Sequence, residues 1–401
     1  MSTTTEQMRK WSGPALLSFG FRPFFFGGAV WAALAMVLWV LMLSGQLSLP
    51  TQFDPISWHA HEFLFGYLTA IVAGFLLTAV PNWTGRLPLV GWPLGGLFAL
   101  WIAGRLAVLV SAHLPSLTVA LTDLALPVLL AAVIAREIVA GKNWHNLMVL
   151  AILAVLTLGN AVFHWEAAQG NIAAQGYGLR IGLGAMMMLI AVIGGRVVPS
   201  FTRNWLAKRG EGALPTPPMQ RLDKLALLIL LAALGLWAAA PEARLTAAAL
   251  AIAGLLHLIR LARWIGWRTT SEPLVLVLHA AYVFLPLGAL ALAAEIALPG
   301  LAGLGAVQHL WMGGATGLMT LAMMTRATLG HTGQTLSATW GTTSLYLAVV
   351  IATVLRVSAG IWPDASSALY SAAGLFWIAA FGGFAVLYGG LLLRARPAKR
   401  L

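Results

Sequence analysis

Two imidazoles and a carboxylate stand close together in Trp58-His59-Ala60-His61-Glu62, at the mouth of an apolar run from Phe63 to Pro81. Ionisable groups at the edge of a membrane-length segment are costly to desolvate, and they mark metal sites, cofactor ligands or ion paths. A matching stretch lies near the C-terminus. There His309-Leu310-Trp311-Met312 enters a second apolar run that leaves through Thr325-Arg326 and Gly330-His331-Thr332-Gly333. Imidazole without thiolate suits haem iron, copper or zinc. The chain has no cysteine, which excludes disulfides, thiolate ligands and a cysteine nucleophile.

His59, His61 and His309 are the leading ligand candidates, with His164, His279 and His331 as further ones. Span order and depth bring the first four to one membrane level near the outer face. Glu62 is read as tuning a ligand or relaying protons. At about 100° per residue His59 and His61 point some 200° apart, so they cannot chelate one ion from a regular helix. His59 shares a face with Glu62, Gly66, Ala70 and Gly74, and His309 with Gly313, Thr316 and Gly317. Such small-residue stripes suit close helix packing or leave room for a flat macrocycle beside an axial imidazole. Met186, Met187 and Met188 offer thioether for Cu(I), or ordinary packing. Arg22, Arg196 and Arg326 near helix ends either reach to the interface or meet propionates or another anion. Arg105 lies mid-span, where a lone charge is costly, and Asp123 across a short hairpin is its expected partner.

Positioning these groups falls to membrane helices. The 401 residues are 60% hydrophobic and 9% charged, with a mean hydropathy of +0.86. A water-facing surface needs about a quarter charged residues, so a soluble domain is excluded. Segments of about 20 apolar residues recur, each enough to cross the bilayer as a helix, and backbone hydrogen bonding in lipid makes an all-α bundle the default. Twelve spans are read, approximately 24–44, 57–80, 92–112, 116–137, 145–168, 177–199, 222–240, 245–266, 273–296, 302–325, 339–361 and 367–393. The net charge of +12 sits in short loops and reads as topology, not nucleic-acid binding. Lys and Arg, among them Arg9, Lys10, Arg86, Arg136, Lys208, Arg263, Arg396, Lys399 and Arg400, crowd one side. That side is the cytoplasm, with both termini on it. No cleavable leader is read in the polar residues 1–13.

The exits of spans 2, 6 and 10 look alike, each closing a glycine-rich span with a Thr/Arg pair: Thr84 and Arg86, Thr202 and Arg203, Thr325 and Arg326. The expectation is one transmembrane domain of three four-helix units, 1–142, 143–270 and 271–401, around a pseudo-threefold axis.

Phe21-Arg22-Pro23-Phe24-Phe25, Trp58 to Glu62, Gly194-Gly195-Arg196 with Pro199, Phe201 and Thr202, and His309 through Gly333 resemble the signature blocks of the NnrS family. The resemblance implies a bacterial inner-membrane protein carrying haem b and copper, tied to nitric oxide metabolism and protection against nitrosative stress. An architectural similarity to the catalytic subunit of haem–copper oxidases rests on histidines in spans 2 and 10. Span 6 has no histidine and span 7 lacks the paired histidines that hold copper there. The function expected is a haem-containing membrane protein that binds or turns over nitric oxide or a related nitrogen species at the haem, fed by an unidentified electron donor and protecting against nitrosative stress. The alternatives are a non-redox transporter or metal- and haem-handling protein, and a haem-based nitric oxide sensor.

Overall fold

Uninterrupted apolar runs leave the backbone no partner but itself, and every regular element among the described residues is helical. The computed structural model describes residues 11–85, 88–210 and 212–394. Arg9, Lys10, Arg86, Arg396, Lys399 and Arg400 lie outside them, so the Arg86 member of the Thr/Arg pattern carries no structural description. Among the described residues, eleven helices are long and apolar enough to cross a membrane: α1 (Phe21–Leu43), α2 (Pro55–Thr84), α3 (Trp92–Leu109), α4 (Ser116–Ala140), α5 (Trp144–Ala168), α6 (Tyr177–Lys208), α7 (Arg221–Ala239), α8 (Arg244–Ala262), α9 (Pro273–Ala297), α11 (Trp340–Ile361) and α12 (Pro363–Leu393). A twelfth, α10, runs over 304–332 and is richer in Gly and Thr. The chain is an all-α multi-pass membrane protein.

The apolar pattern ends the tenth span at 325, which puts His331 beyond it. The helix continues to Thr332, because Thr332 caps its own turn by donating to the Thr328 carbonyl at 2.6 Å. Gly333, at φ 77°, is the left-handed residue that ends it.

Two compact units divide the chain. The first holds Met1–Gly182, Ala327–Thr335 and Phe381–Leu401; the second holds Leu183–Arg326 and Leu336–Ala380. In the first, α1 packs on α2, α3 on α4, and α4 on both α5 and α2. In the second, α8 packs on α7 and α9, and α10 on α9 and α11. Leu, Ile and Val cover the outer faces, with Leu117, Leu228, Leu375 and Val386 exposed. Trp92, Trp165, Trp340 and Trp362 are exposed near helix ends, where amphipathic rings suit the headgroup level.

Among the described residues, three helices are interrupted by wide π-helical turns: Glu62–Tyr67 in α2, Ile190–Gly194 in α6 and Leu310–Gly317 in α10. Such turns shift side-chain register and gather at functional sites.

A buried His–Asp–His candidate metal centre

Asp54 starts α2. Its carboxylate accepts from the Ile56 and Ser57 amides, each at 3.0 Å, and Pro55 occupies the first helical position. That fixes the phase of the helix so that Trp58, His61 and Glu62 turn inward and are fully buried. The π turn begins at Glu62.

Arg105 crosses from α3. Gly66 lets it in, since a Cβ there would collide with Arg105 Nη1. Gly104 brings α3 against α4 at Asp123. The guanidinium donates Nη1 to Glu62 Oε1 at 2.6 Å and Nη2 to Asp123 Oδ1, so the hairpin pair read from the sequence forms. One cation thus serves two carboxylates, leaving a surplus negative charge among buried groups.

His61 and His164 meet at that surplus. His61 Nδ1 lies 3.0 Å from Glu62 Oε1, which only accepts, so Nδ1 carries the proton. Asn160 donates Nδ2 to Asp123 Oδ2 at 2.7 Å and therefore turns its carbonyl oxygen to His61 Nε2, 3.1 Å away. His61 Nε2 also faces Asp123 Oδ2 at 3.2 Å. Two acceptors and one imidazole nitrogen cannot share a spot without a positive charge there. Either a proton on His61 or a metal ion supplies it.

The geometry suits a metal. His61 Nε2 and His164 Nε2 are 3.2 Å apart, and His164 Nε2 and Asp123 Oδ2 are 3.1 Å apart. Ligands about 2.0 Å from a tetrahedral ion stand about 3.3 Å from one another. His61, Asp123 and His164 are all buried, and their ligand atoms could hold one ion. Phe53 packs 5.3 Å from His61 and 5.6 Å from His164. Phe65 and Phe163 each lie 5.6 Å from His61, which makes the surroundings apolar. Among the described residues, Glu62 Oε2 and His164 Nδ1 find no hydrogen-bond partner.

The other predicted residues have contacts of their own. His59 is half-buried and stacks on Trp39 at 4.4 Å and 19°, away from His61, as the helical angle requires. His331 packs against Phe19 and Phe21 at 5.0 and 5.4 Å. Arg22 is buried and donates Nη1 to the carbonyls of Leu392 and Arg394 at 2.9 and 2.8 Å. In the second unit, His309 approaches the Gly305 carbonyl of its own helix at 2.5 Å. His279 Nε2 pairs with Thr202 Oγ1 at 2.7 Å. Arg326 stacks on Phe201 at 3.8 Å, and Arg196 is half-buried in α6. Met186, Met187 and Met188 are core.

The small-residue stripes serve packing. A Cβ at Gly74 would meet Phe24 and Phe25, one at Gly313 would meet Thr353, and one at Gly317 would meet Trp377. A macrocycle does not fit along either stripe in this arrangement. Nor does it fit on His61 or His164, whose Nε2 atoms face Asp123 and each other. The sequence reading missed Asp123 as a ligand and Asn160 altogether. The available signal was Asn160 and His164 one turn apart on α5, level with the mid-span acid.

Residues 15–396 match the family described as NnrS protein. The chain belongs to the NnrS family. That span contains every member of the NnrS chain's buried cluster, His61, Glu62, Arg105, Asp123, Asn160 and His164. No curated protein matches the chain.

Proposed function

We propose that this NnrS protein holds one copper-class ion at His61, Asp123 and His164 and uses it on nitric oxide or a related small nitrogen species. The observation that carries the reading is the convergence of His61 Nε2, His164 Nε2 and Asp123 Oδ2 at 3.1–3.2 Å on a point that needs a positive charge. A donor set of two imidazoles and one carboxylate suits copper or zinc. The resemblance on Phe21–Phe25, Trp58–Glu62 and His309–Gly333 adds copper and nitric oxide.

When bound, copper supplies a redox centre with affinity for nitric oxide. The chain's own residues prepare the place for it. Glu62 accepts from His61 Nδ1 and so presents the Nε2 lone pair inward. Asn160 orients Asp123, and Arg105 balances both carboxylates. Phe53, Phe65 and Phe163 keep water away while admitting an uncharged diatomic through an apolar bundle. The residues at this site do not fit haem b, since His61 Nε2 and His164 Nε2 face each other at 3.2 Å. The protein belongs in the bacterial inner membrane, with both termini cytoplasmic by the distribution of Lys and Arg. The four-helix repeat over 1–142, 143–270 and 271–401 is supported by the π turns that recur in α2, α6 and α10.

Metal analysis of the purified protein tests the assignment. Stoichiometric copper or zinc is expected in the wild type and its loss in His164→Gln and Asp123→Asn, with His309→Gln retaining it. Equal metal in all four proteins overturns the site. Nitric oxide consumption with a reductant, followed amperometrically, then separates an enzyme from a sensor or a metal handler.

A further inference from the structure

The ligand atoms of the His–Asp–His centre are buried, so a metal ion needs a way in. The residues placed around them above stand on α2, α3, α4 and α5, with Phe53 as the exception. Phe53 belongs to the link between α1 and α2, residues 44–54, which forms no helix or strand and begins with Gly45 at φ 72°. Along this link Pro50 is exposed and Thr51, Gln52 and Asp54 are half-buried, whereas Phe53 turns in and is 4% exposed. Its ring stacks on His61 at 5.3 Å and 27°, meets His164 edge-on at 5.6 Å and packs on Phe163 at 6.0 Å. One aromatic side chain therefore stands between the two ligand imidazoles and a surface loop.

The loop is fastened mainly by side chains. Ser111, between α3 and α4, donates to the Val108 carbonyl at 2.8 Å. Its oxygen therefore accepts from Thr51 Oγ1 at 3.0 Å and from the Gln52 amide at 2.9 Å. Ser116 donates Oγ to Gln52 Oε1 at 2.8 Å, and the Ala112 amide donates to the Pro50 carbonyl at 3.0 Å. The side-chain bonds lie at part-buried positions, where water replaces each partner as it leaves. Such a segment opens locally far more readily than a packed helix unravels.

An uncharged diatomic dissolves through an apolar bundle, but an ion in hydrocarbon is costly. The metal and its small ligand therefore need different routes. We infer that Phe53 is the gate by which the metal ion enters and leaves, carried on a loop that swings aside when Thr51 and Gln52 part from Ser111 and Ser116. The inference rests on the metal reading of His61, Asp123 and His164. Shut, the gate retains the ion and leaves nitric oxide its path between the helices.

Zinc, which has no redox chemistry, is the probe. The full-length protein in nanodiscs is loaded with zinc, and release to a colorimetric chelator is timed. Release is expected to be about tenfold faster in Phe53→Ala and several-fold faster in Ser111→Ala, with the zinc content at saturation unchanged. The double variant Thr51→Cys/Ser111→Cys, oxidised to a disulfide, is expected to release zinc several-fold more slowly than after a phosphine reductant opens it. Since the chain has no cysteine of its own, His164→Cys adds a readout that needs no metal. A cationic methanethiosulfonate is expected to modify that thiol slowly, and several-fold faster once Phe53→Ala is added. Equal release from wild type, Phe53→Ala and the locked double variant overturns the gate, as does labelling that Phe53→Ala leaves unchanged. A wild type that takes up no zinc overturns the metal assignment instead, and the labelling still decides whether Phe53 guards the cluster. Should Phe53→Ala unfold, the reducible lock carries the test, and equal release before and after reduction overturns the gate.

Discussion

The two units each bury an arginine paired with an aspartate, and the aspartates are used differently. In the first unit Arg105 reaches Asp123 and in the second Arg260 reaches Asp223. Each guanidinium lies against a glycine at a π turn, Gly66 and Gly195, where a Cβ would collide with it. The difference is in the second carboxylate oxygen. Asp223 Oδ2 accepts from the Gln220 amide at 2.8 Å, closing the N-terminus of its own helix. Asp123 sits mid-helix with no such duty, so its Oδ2 is free to gather Asn160, His61 and His164. The first cluster also carries a second carboxylate, Glu62, and so has one negative charge more than its arginine balances. The same ion-pair motif thus becomes an attractor for a cation in one unit and a neutral clamp in the other.

Removing the arginines separates the two most sharply. Arg105→Leu leaves two buried carboxylates without their cation, Arg260→Leu only one. Breaking a buried pair costs about 3–5 kcal/mol, so Arg105→Leu is expected to lower the thermal unfolding midpoint in detergent further than Arg260→Leu. An equal fall would mean that Glu62 does not act as a second charge. Next come the aspartates. Asp123→Asn is expected to abolish metal retention, whereas Asp223→Asn loses stability at Arg260 but keeps the metal, as read by elemental analysis. Metal loss in both would erase the distinction. The glycines follow, since Gly66→Ala and Gly195→Ala each force a methyl into an arginine, and overpacking costs about 1–3 kcal/mol. Only Gly66→Ala is expected to lower metal content as well. The smallest effect is expected from His59→Ala. It removes a stack on Trp39 worth about 1 kcal/mol and leaves metal content unchanged; a large metal loss there would move the site to the other face of α2.

Much of the cluster was legible because charge in a membrane span is costly whatever the fold. Arg105 demanded a partner, and a short hairpin left Asp123 as the nearest acid. His61, Glu62 and His164 stood out by type and by depth. Asn160 did not, because a neutral amide in an apolar run carries no such penalty. Asp123 was assigned to Arg105 and read no further, since a carboxylate's second oxygen has no signature in sequence. The helical angle between His59 and His61 correctly predicted that they would part, but not which one would turn inward.

Composition and hydropathy alone determine that this chain crosses the membrane as many helices, since an unpaired backbone group in lipid is too costly to allow anything else. The spacing of ionisable residues likewise determines that a polar cluster must exist somewhere near the start of α2. Tertiary packing decided its membership. Hydrogen-bond directions depend on where helices close against one another, and those contacts are set by glycines at 66, 104 and 195 whose role is invisible until a neighbour fills the space. Only then does His61 Nε2 face two acceptors, and only then does a histidine at a helix mouth become a place for a cation.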